Sequence, residues 1–117
     1  MNQDTKIYLS LVVIVVLIIA GIFYWKNLNR ENPEEIVMKC ISSKAAMYSQ
    51  IGCSHCIEQK QILGNYANLF NITECNEGDN RQKCADMGIA LTPTWIINGN
   101  KYPGLKSIAE LKNITGC

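Results

Sequence analysis

The run "IYLSLVVIVVLIIAGIFYW", Ile7 to Trp25, constrains this chain more than any other feature: 19 residues pass without a charge. As a helix rising about 1.5 Å per residue it spans roughly the 30 Å hydrocarbon core of a bilayer. It reads as a transmembrane helix over about residues 7–25. Tyr24 and Trp25 close the run as interfacial aromatics do, and Lys26 and Arg30 follow in a polar flank. The competing reading is a cleaved signal peptide, which wants an apolar stretch of about 7 to 15 residues and a small-x-small cleavage site. "AGIFYW" offers no such site. Residues 1–30 are therefore assigned to a membrane anchor and linker, which leaves residues 31–117 for one small domain.

Which side of the membrane that domain faces is a contest between two signals. Lys6 opposes Lys26 and Arg30, and the count of positive charges slightly favours a cytoplasmic domain. The cysteines argue the other way. All six lie in the 78 residues from Cys40 to Cys117, and an even number at that density is what small domains use in an oxidising compartment. The expectation is a single-pass protein with its domain on the extracytoplasmic side. From residue 31 onward eight Lys or Arg face nine Asp or Glu, so the domain carries 8 − 9 = −1. Without a basic stripe or an aromatic platform, nucleic acid is excluded as a partner.

The pattern beyond the linker alternates helices and strands. Pro33, Glu34 and Glu35 open a helix that carries Ile36, Val37, Cys40 and Ile41. "AAMYSQI" reads as a strand running into Cys53, and the spacing of Ile57, Gln61, Ile62, Tyr66 and Ala67 predicts a helix from Ser54 to about Ala67. "LFNITEC" is a further strand, and "RQKCADMGI" a short helix closed by Gly88. Thr94 to Ile97, an Asn98-Gly99 turn, and Lys101-Tyr102 form a hairpin. Ser107 and Glu110 stand at capping-box spacing before the last helix. Helix, strand, helix, strand, helix, strand, strand, helix describes an α/β sheet covered by helices.

Chemistry concentrates in "GCSHC", Gly52 to Cys56. A zinc site built from Cys53, Cys56, Cys75 and Cys84 lacks the second tight pair that a zinc ribbon needs, because eight residues rather than two stand between Cys75 and Cys84. A haem anchor needs histidine after the second cysteine, where Ile57 stands. No metal and no cofactor is expected. A strand leading into Cys53 and a helix starting there put its sulfur at a helix amino terminus, where free N–H groups stabilise a thiolate. Such a thiolate favours the reduced form and makes the disulfide an oxidant. His55, the chain's single histidine, adds a positive charge or a hydrogen bond to that thiolate, or else is an ordinary exposed polar residue.

Cys53-Ser54-His55-Cys56 after a strand, and Thr92-Pro93-Thr94-Trp95 before a hairpin and a last helix, resemble the thioredoxin superfamily. More narrowly, "YSQIGCSHCIEQKQILG", "ITEC", "RQKCADMGIALTPTWIINGNKYPG" and "LKNITGC" are similar to the thioredoxin-like domains fused to, or partnered with, bacterial and archaeal homologues of vitamin K epoxide reductase. The likeness covers about residues 36 to 117. It implies a thioredoxin-like fold, a central mixed sheet flanked by helices, preceded here by the transmembrane helix. It also implies that Cys53 is the nucleophile, Cys56 its resolving partner, and Pro93 a cis-proline whose neighbour Thr92 offers backbone to an extended substrate. Cys75 and Cys84 are expected to pair on the same ground. Cys40 and Cys117, at the two ends of the domain, would then form a second structural disulfide. A relay of electrons through Cys75 and Cys84 is the alternative for the former pair.

This sequence departs from the family's pattern in two places. Gly52 replaces the aromatic residue common before the first cysteine, which reduces an apolar docking rim. Met47 stands where reducing thioredoxins carry a buried Asp, which leans away from a general reductase. The resulting expectation is a membrane-anchored thiol-disulfide oxidoreductase that oxidises exported proteins with free thiols. Reoxidation would come from an integral membrane oxidase homologous to vitamin K epoxide reductase. The alternatives are a reductase or isomerase fed through the membrane, and a non-catalytic or metal-carrying module.

Overall fold

The computed structural model describes residues 2–117. The chain divides into two compact units, Met1–Asn32 and Pro33–Cys117. The first contains one helix, α1 (Gln3–Leu28), with no buried side chain. At 26 residues and a mean hydropathy of 2.9 over its most apolar window, it is long and apolar enough to cross a membrane.

In the second unit, local chemistry explains most element boundaries. Helix α2 (Pro33–Lys44) starts on proline, whose missing N–H costs nothing there, with Glu34 and Glu35 in the first turn and Lys44 in the last. It buries Met38 and Ile41, one turn apart. Strand β1 (Ala45–Ser49) follows without a loop. Helix α3 (Ser54–Leu63) ends four residues short of Ala67, where apolar spacing predicted its end. Gly64 explains the difference: its φ of 57° and ψ of −132° interrupt the α-helix, a conformation open to glycine and costly for other residues. The chain continues as a 3₁₀ segment, Gly64–Leu69. Then come β2 (Asn71–Glu74), α4 (Asn80–Asp86), β3 (Thr94–Ile97), β4 (Asn100–Pro103) and α5 (Ile108–Thr115). The Ser107–Glu110 capping box at the start of α5 is present in both directions.

The four strands form one mixed sheet in the order β2-β1-β3-β4. β1 runs parallel to β2 and antiparallel to β3, and β4 returns antiparallel to β3. Register sets Ala45 opposite Ile97 and Met47 opposite Trp95. These four side chains share one face, because alternate residues of a strand point the same way. Met38 and Ile41 from α2, Leu63 from α3, Phe70, and Leu111 from α5 complete that core. A central mixed sheet flanked by helices is therefore the fold, as the resemblance implied.

Covalent and polar ties hold the periphery. Cys40 on α2 is disulfide-bonded to Cys117, beyond the end of α5, and Lys44 Nζ donates to the Thr115 carbonyl at 3.1 Å. Cys75, just after β2, is bonded to Cys84 on α4. Lys60 on α3 pairs with Glu74 on β2.

Candidate active site

Cys53 is the N-cap residue of α3, in extended conformation, and its Sγ accepts from the Cys56 backbone N–H at 3.3 Å. The strand does not run up to it. β1 ends at Ser49, and a turn through Gln50, Ile51 and Gly52 carries the chain on, closed by the Cys53 N–H donating to the Gln50 carbonyl at 3.1 Å. Gly52 in that turn has φ of 85°. The large residue that the family pattern places here would adopt that backbone only under strain.

Across the cleft, the Thr92–Pro93 peptide bond is cis. Thr92 meets the first cysteine twice: the Cys53 thiol donates to the Thr92 carbonyl at 3.5 Å, and Thr92 Oγ1 donates to Cys53 Sγ at 3.7 Å. Thirty-nine residues separate the two in sequence. Ile51 and Leu91, on the two loops that carry these groups, remain 57% and 63% exposed. They supply apolar surface beside a position that Gly52 leaves bare.

Cys53 and Cys56 are free thiols in contrasting environments. Partial burial pushes the Cys53 thiol up, but hydrogen bonds from the Cys56 side chain, the Thr92 hydroxyl and the backbone of Cys56 and His55 outweigh it. Its pKa lies below the ordinary value. Cys56 goes the other way: burial and then its bond with Cys53 push it up, and the Gln50 backbone and the Ser49 and Thr92 hydroxyls offset this only in part. One sulfur is accessible and easily ionised; the other is buried and held neutral. His55 is exposed, and its backbone is the part that stabilises the Cys53 sulfur.

The second disulfide lies closer to this site than its place in the sequence reveals. The Cys75 N–H donates to the Ser49 carbonyl at 2.8 Å. Asn76 then grips the turn in both directions, accepting from the Ile51 N–H at 2.9 Å and donating to its carbonyl at 3.0 Å. Gln50, Cys75 and Cys84 line one open cavity of about 350 Å³. Cys84 itself is buried.

Two supporting residues carried no sequence signal. Asn76 is one. Gln59 is the other: wholly buried on α3, it accepts from Trp95 Nε1 at 3.2 Å and from the Lys106 N–H at 2.7 Å, and it donates to the Lys106 carbonyl at 2.9 Å. It ties the helix that carries Cys56 to the strand after Pro93. In a sequence, a glutamine in a helix reads as surface, and only its partners show otherwise. Among the described residues, no group of three or more His, Cys, Asp or Glu side chains gathers to hold a metal ion.

No protein-family model matches the chain. Over 79 residues it is 42% identical to Thiol-disulfide oxidoreductase LTO1 of Arabidopsis thaliana, an alignment that covers 62% of this chain and 21% of that protein. The chain thus spans about a fifth of that relative's length. Geometry and likeness together support a thioredoxin-like redox domain.

Proposed function

We propose that this chain is a membrane-anchored thiol-disulfide oxidoreductase that acts as a dithiol oxidase on exported proteins. The observation that carries the reading is the split between the two thiols: Cys53 lowered and accessible beside Thr92, Cys56 raised and buried behind it. A substrate thiolate attacks Cys53 Sγ of the oxidised pair, and Cys56 leaves with the electron pair. A second substrate thiol then attacks the substrate sulfur of the mixed disulfide and releases Cys53 as a thiolate, so the substrate is oxidised and the enzyme reduced. Stabilising that final thiolate favours this direction. Thr92 and Pro93 shape the cleft in which an extended substrate segment would lie.

The name of the Arabidopsis relative supports thiol-disulfide exchange as the chemistry. Helix α1 supports the anchor, because its apolar run exceeds the roughly 7 to 15 residues of a signal peptide's core. Two disulfides in so small a domain support an oxidising compartment. Reoxidation is assigned to a partner resembling vitamin K epoxide reductase on the likeness of the Cys53–Cys56 and Thr92–Trp95 segments to the domains such oxidases work with.

The deciding experiment is the equilibrium reduction potential of Cys53-Cys56 in the full chain, held in detergent micelles and titrated against glutathione. Strong oxidants lie near about −120 mV and reductants of the thioredoxin type near about −270 mV. A value in the upper half of that interval is expected. A value near its lower end would replace the oxidase with a reductase. Labelling of single introduced cysteines from either side of sealed vesicles tests the orientation.

A further inference from the structure

Ser49 is the last residue of β1 and shares its face with Ala45 and Met47, the face that packs into the core. Its side chain is wholly buried at 0% exposure. The backbone carbonyl is engaged by the Cys75 N–H, but the hydroxyl oxygen has no hydrogen-bond partner. Buried hydroxyls are normally paired, because leaving one unpaired forfeits its hydration without return. On α3 the buried face begins with Cys56, 1% exposed, followed by Gln59 and Leu63. The Gln50 carbonyl, next after Ser49, accepts from the Cys53 N–H at 3.1 Å, and Cys53 Sγ accepts from the Cys56 N–H at 3.3 Å. The end of β1 is thus tied to the first turn of α3, and the buried Ser49 hydroxyl is among the groups that bear on the Cys56 sulfur.

We propose that Ser49 is a positioning residue for thiol-disulfide exchange, donating a hydrogen bond from its hydroxyl to Cys56 Sγ in the state where that sulfur carries negative charge. This rests on the redox reading above. A neutral thiol is a weak acceptor, which is why the hydroxyl is orphaned beside it, whereas a thiolate is a strong one. The groups that bear most on the Cys56 sulfur are the Cys53 thiol, the Gln50 backbone, and the Ser49 and Thr92 hydroxyls, and none of them is charged. Met47, two residues earlier on the same strand face, is apolar and fully buried. The Thr92 hydroxyl already donates to Cys53 Sγ. Ser49 is therefore the hydroxyl reserved for Cys56.

The step is a plain exchange. When a substrate thiolate attacks Cys53 Sγ, the substrate–Cys53 bond forms, the Cys53–Cys56 bond breaks, and Cys56 departs as a thiolate that later takes a proton from solvent. In reverse, Cys56 gives its proton to solvent and its thiolate attacks Cys53 Sγ of the mixed disulfide, expelling the substrate thiolate. The Ser49 hydroxyl stabilises the same charged sulfur in both directions. Cys56 is otherwise disfavoured as an anion by its burial.

The test uses the full chain in detergent micelles, Cys53 and Cys56 reduced, mixed with excess 5,5′-dithiobis(2-nitrobenzoate). In the first phase Cys53 displaces one thionitrobenzoate and keeps the other as a mixed disulfide. In the second, Cys56 attacks Cys53 and releases the remaining thionitrobenzoate, so the protein pair is oxidised as the aromatic disulfide is reduced. For Ser49→Ala we expect an unchanged first phase and a second phase whose pH midpoint rises by about one unit. A tenfold smaller thiolate fraction is partly offset by roughly threefold higher nucleophilicity, so the second phase slows about threefold at pH 7. Above the midpoint the variant should be no slower than wild type. The melting temperature should hold or rise, since an orphaned hydroxyl is removed, and Ser49→Thr should restore the wild-type profile. An Ala variant with the wild-type midpoint overturns the proposal, as does a folded Thr variant as slow as Ala. A wild-type chain that releases only one equivalent would overturn the exchange reading itself, and this inference with it.

Discussion

Helices α3 and α5 begin with the same geometry and opposite chemistry. In each, the N-cap side chain accepts from the backbone N–H three residues on: Cys53 Sγ from Cys56 at 3.3 Å, Ser107 Oγ from Glu110 at 3.2 Å. In α5 that third position holds a carboxylate which reaches back to the Ser107 N–H at 2.7 Å and closes the box. The helix end is satisfied and inert. In α3 the third position holds Cys56, a thiol kept neutral by burial, and no acidic residue stands in the first turn. The positive end of α3 is thus left to the Cys53 sulfur. A stable cap and a reactive one differ by which side chain takes the charge.

The most direct way to break this comparison is Cys53→Ser, which gives α3 the cap that α5 has. Turnover with a reduced peptide should vanish while the circular dichroism and melting temperature stay close to wild type, since serine caps helices well. Loss of fold in that variant would mean that the sulfur is structural. Next in size, Cys40→Ser with Cys117→Ser releases the end of α5. The loop of 78 residues implied by a separation of 77 corresponds to about 4.5 kcal/mol in the chain-entropy picture, read by denaturant titration. An equilibrium stability equal to wild type would show that the staple adds nothing.

His55→Glu sharpens the contrast from the other side by placing an acid in the first turn of α3. A carboxylate some 5 Å from the sulfur, at an effective dielectric near 40, raises the Cys53 pKa by about one unit. The pH profile of Cys53 alkylation in a Cys56→Ser background would show it, and an unmoved midpoint would deny the helix terminus its role. The smallest effect belongs to Ser107→Ala, with a loss of about 1 kcal/mol and no change in Cys53 reactivity. Glu110 is held below the ordinary carboxylate range by its bonds from Ser107. Its contribution is therefore complete above the unfolded-state pKa and disappears as pH falls through the folded one. Ser107→Ala removes the hydroxyl but keeps the backbone N–H, so it should flatten that acid limb only in part, and an unchanged limb would remove the hydroxyl from the account.

Short-range features were legible from residues alone. The uncharged run, the Pro33 and Ser107 helix starts, the Asn98-Gly99 turn and the alternation of elements each depend on neighbours within about four positions, and the fold follows their order. The apolar pattern overruns the end of α3 because Gly64, within a spacing that carries on to Ala67, stops the helix by its backbone rather than by its hydrophobicity. The strand before Cys53 stops short of its apolar pattern for a similar reason. A turn there needs Gly52 at positive φ, and its grip by Asn76 comes from 25 residues away.

What the sequence by itself determined is a membrane-length apolar helix, an α/β domain after it, and a Cys-x-x-Cys at a helix start. Spacing alone leaves six cysteines with 15 full pairings, of which the family likeness implied one division; the fold itself is what brings Cys40 to Cys117 and Cys75 to Cys84 and leaves Cys53 and Cys56 free. It also decided that Thr92 meets Cys53 and that Ser49 sits orphaned at Cys56. The reason is physical: caps and turns are set by local backbone geometry, whereas a thiol's charge depends on burial and on dipoles delivered from distant strands.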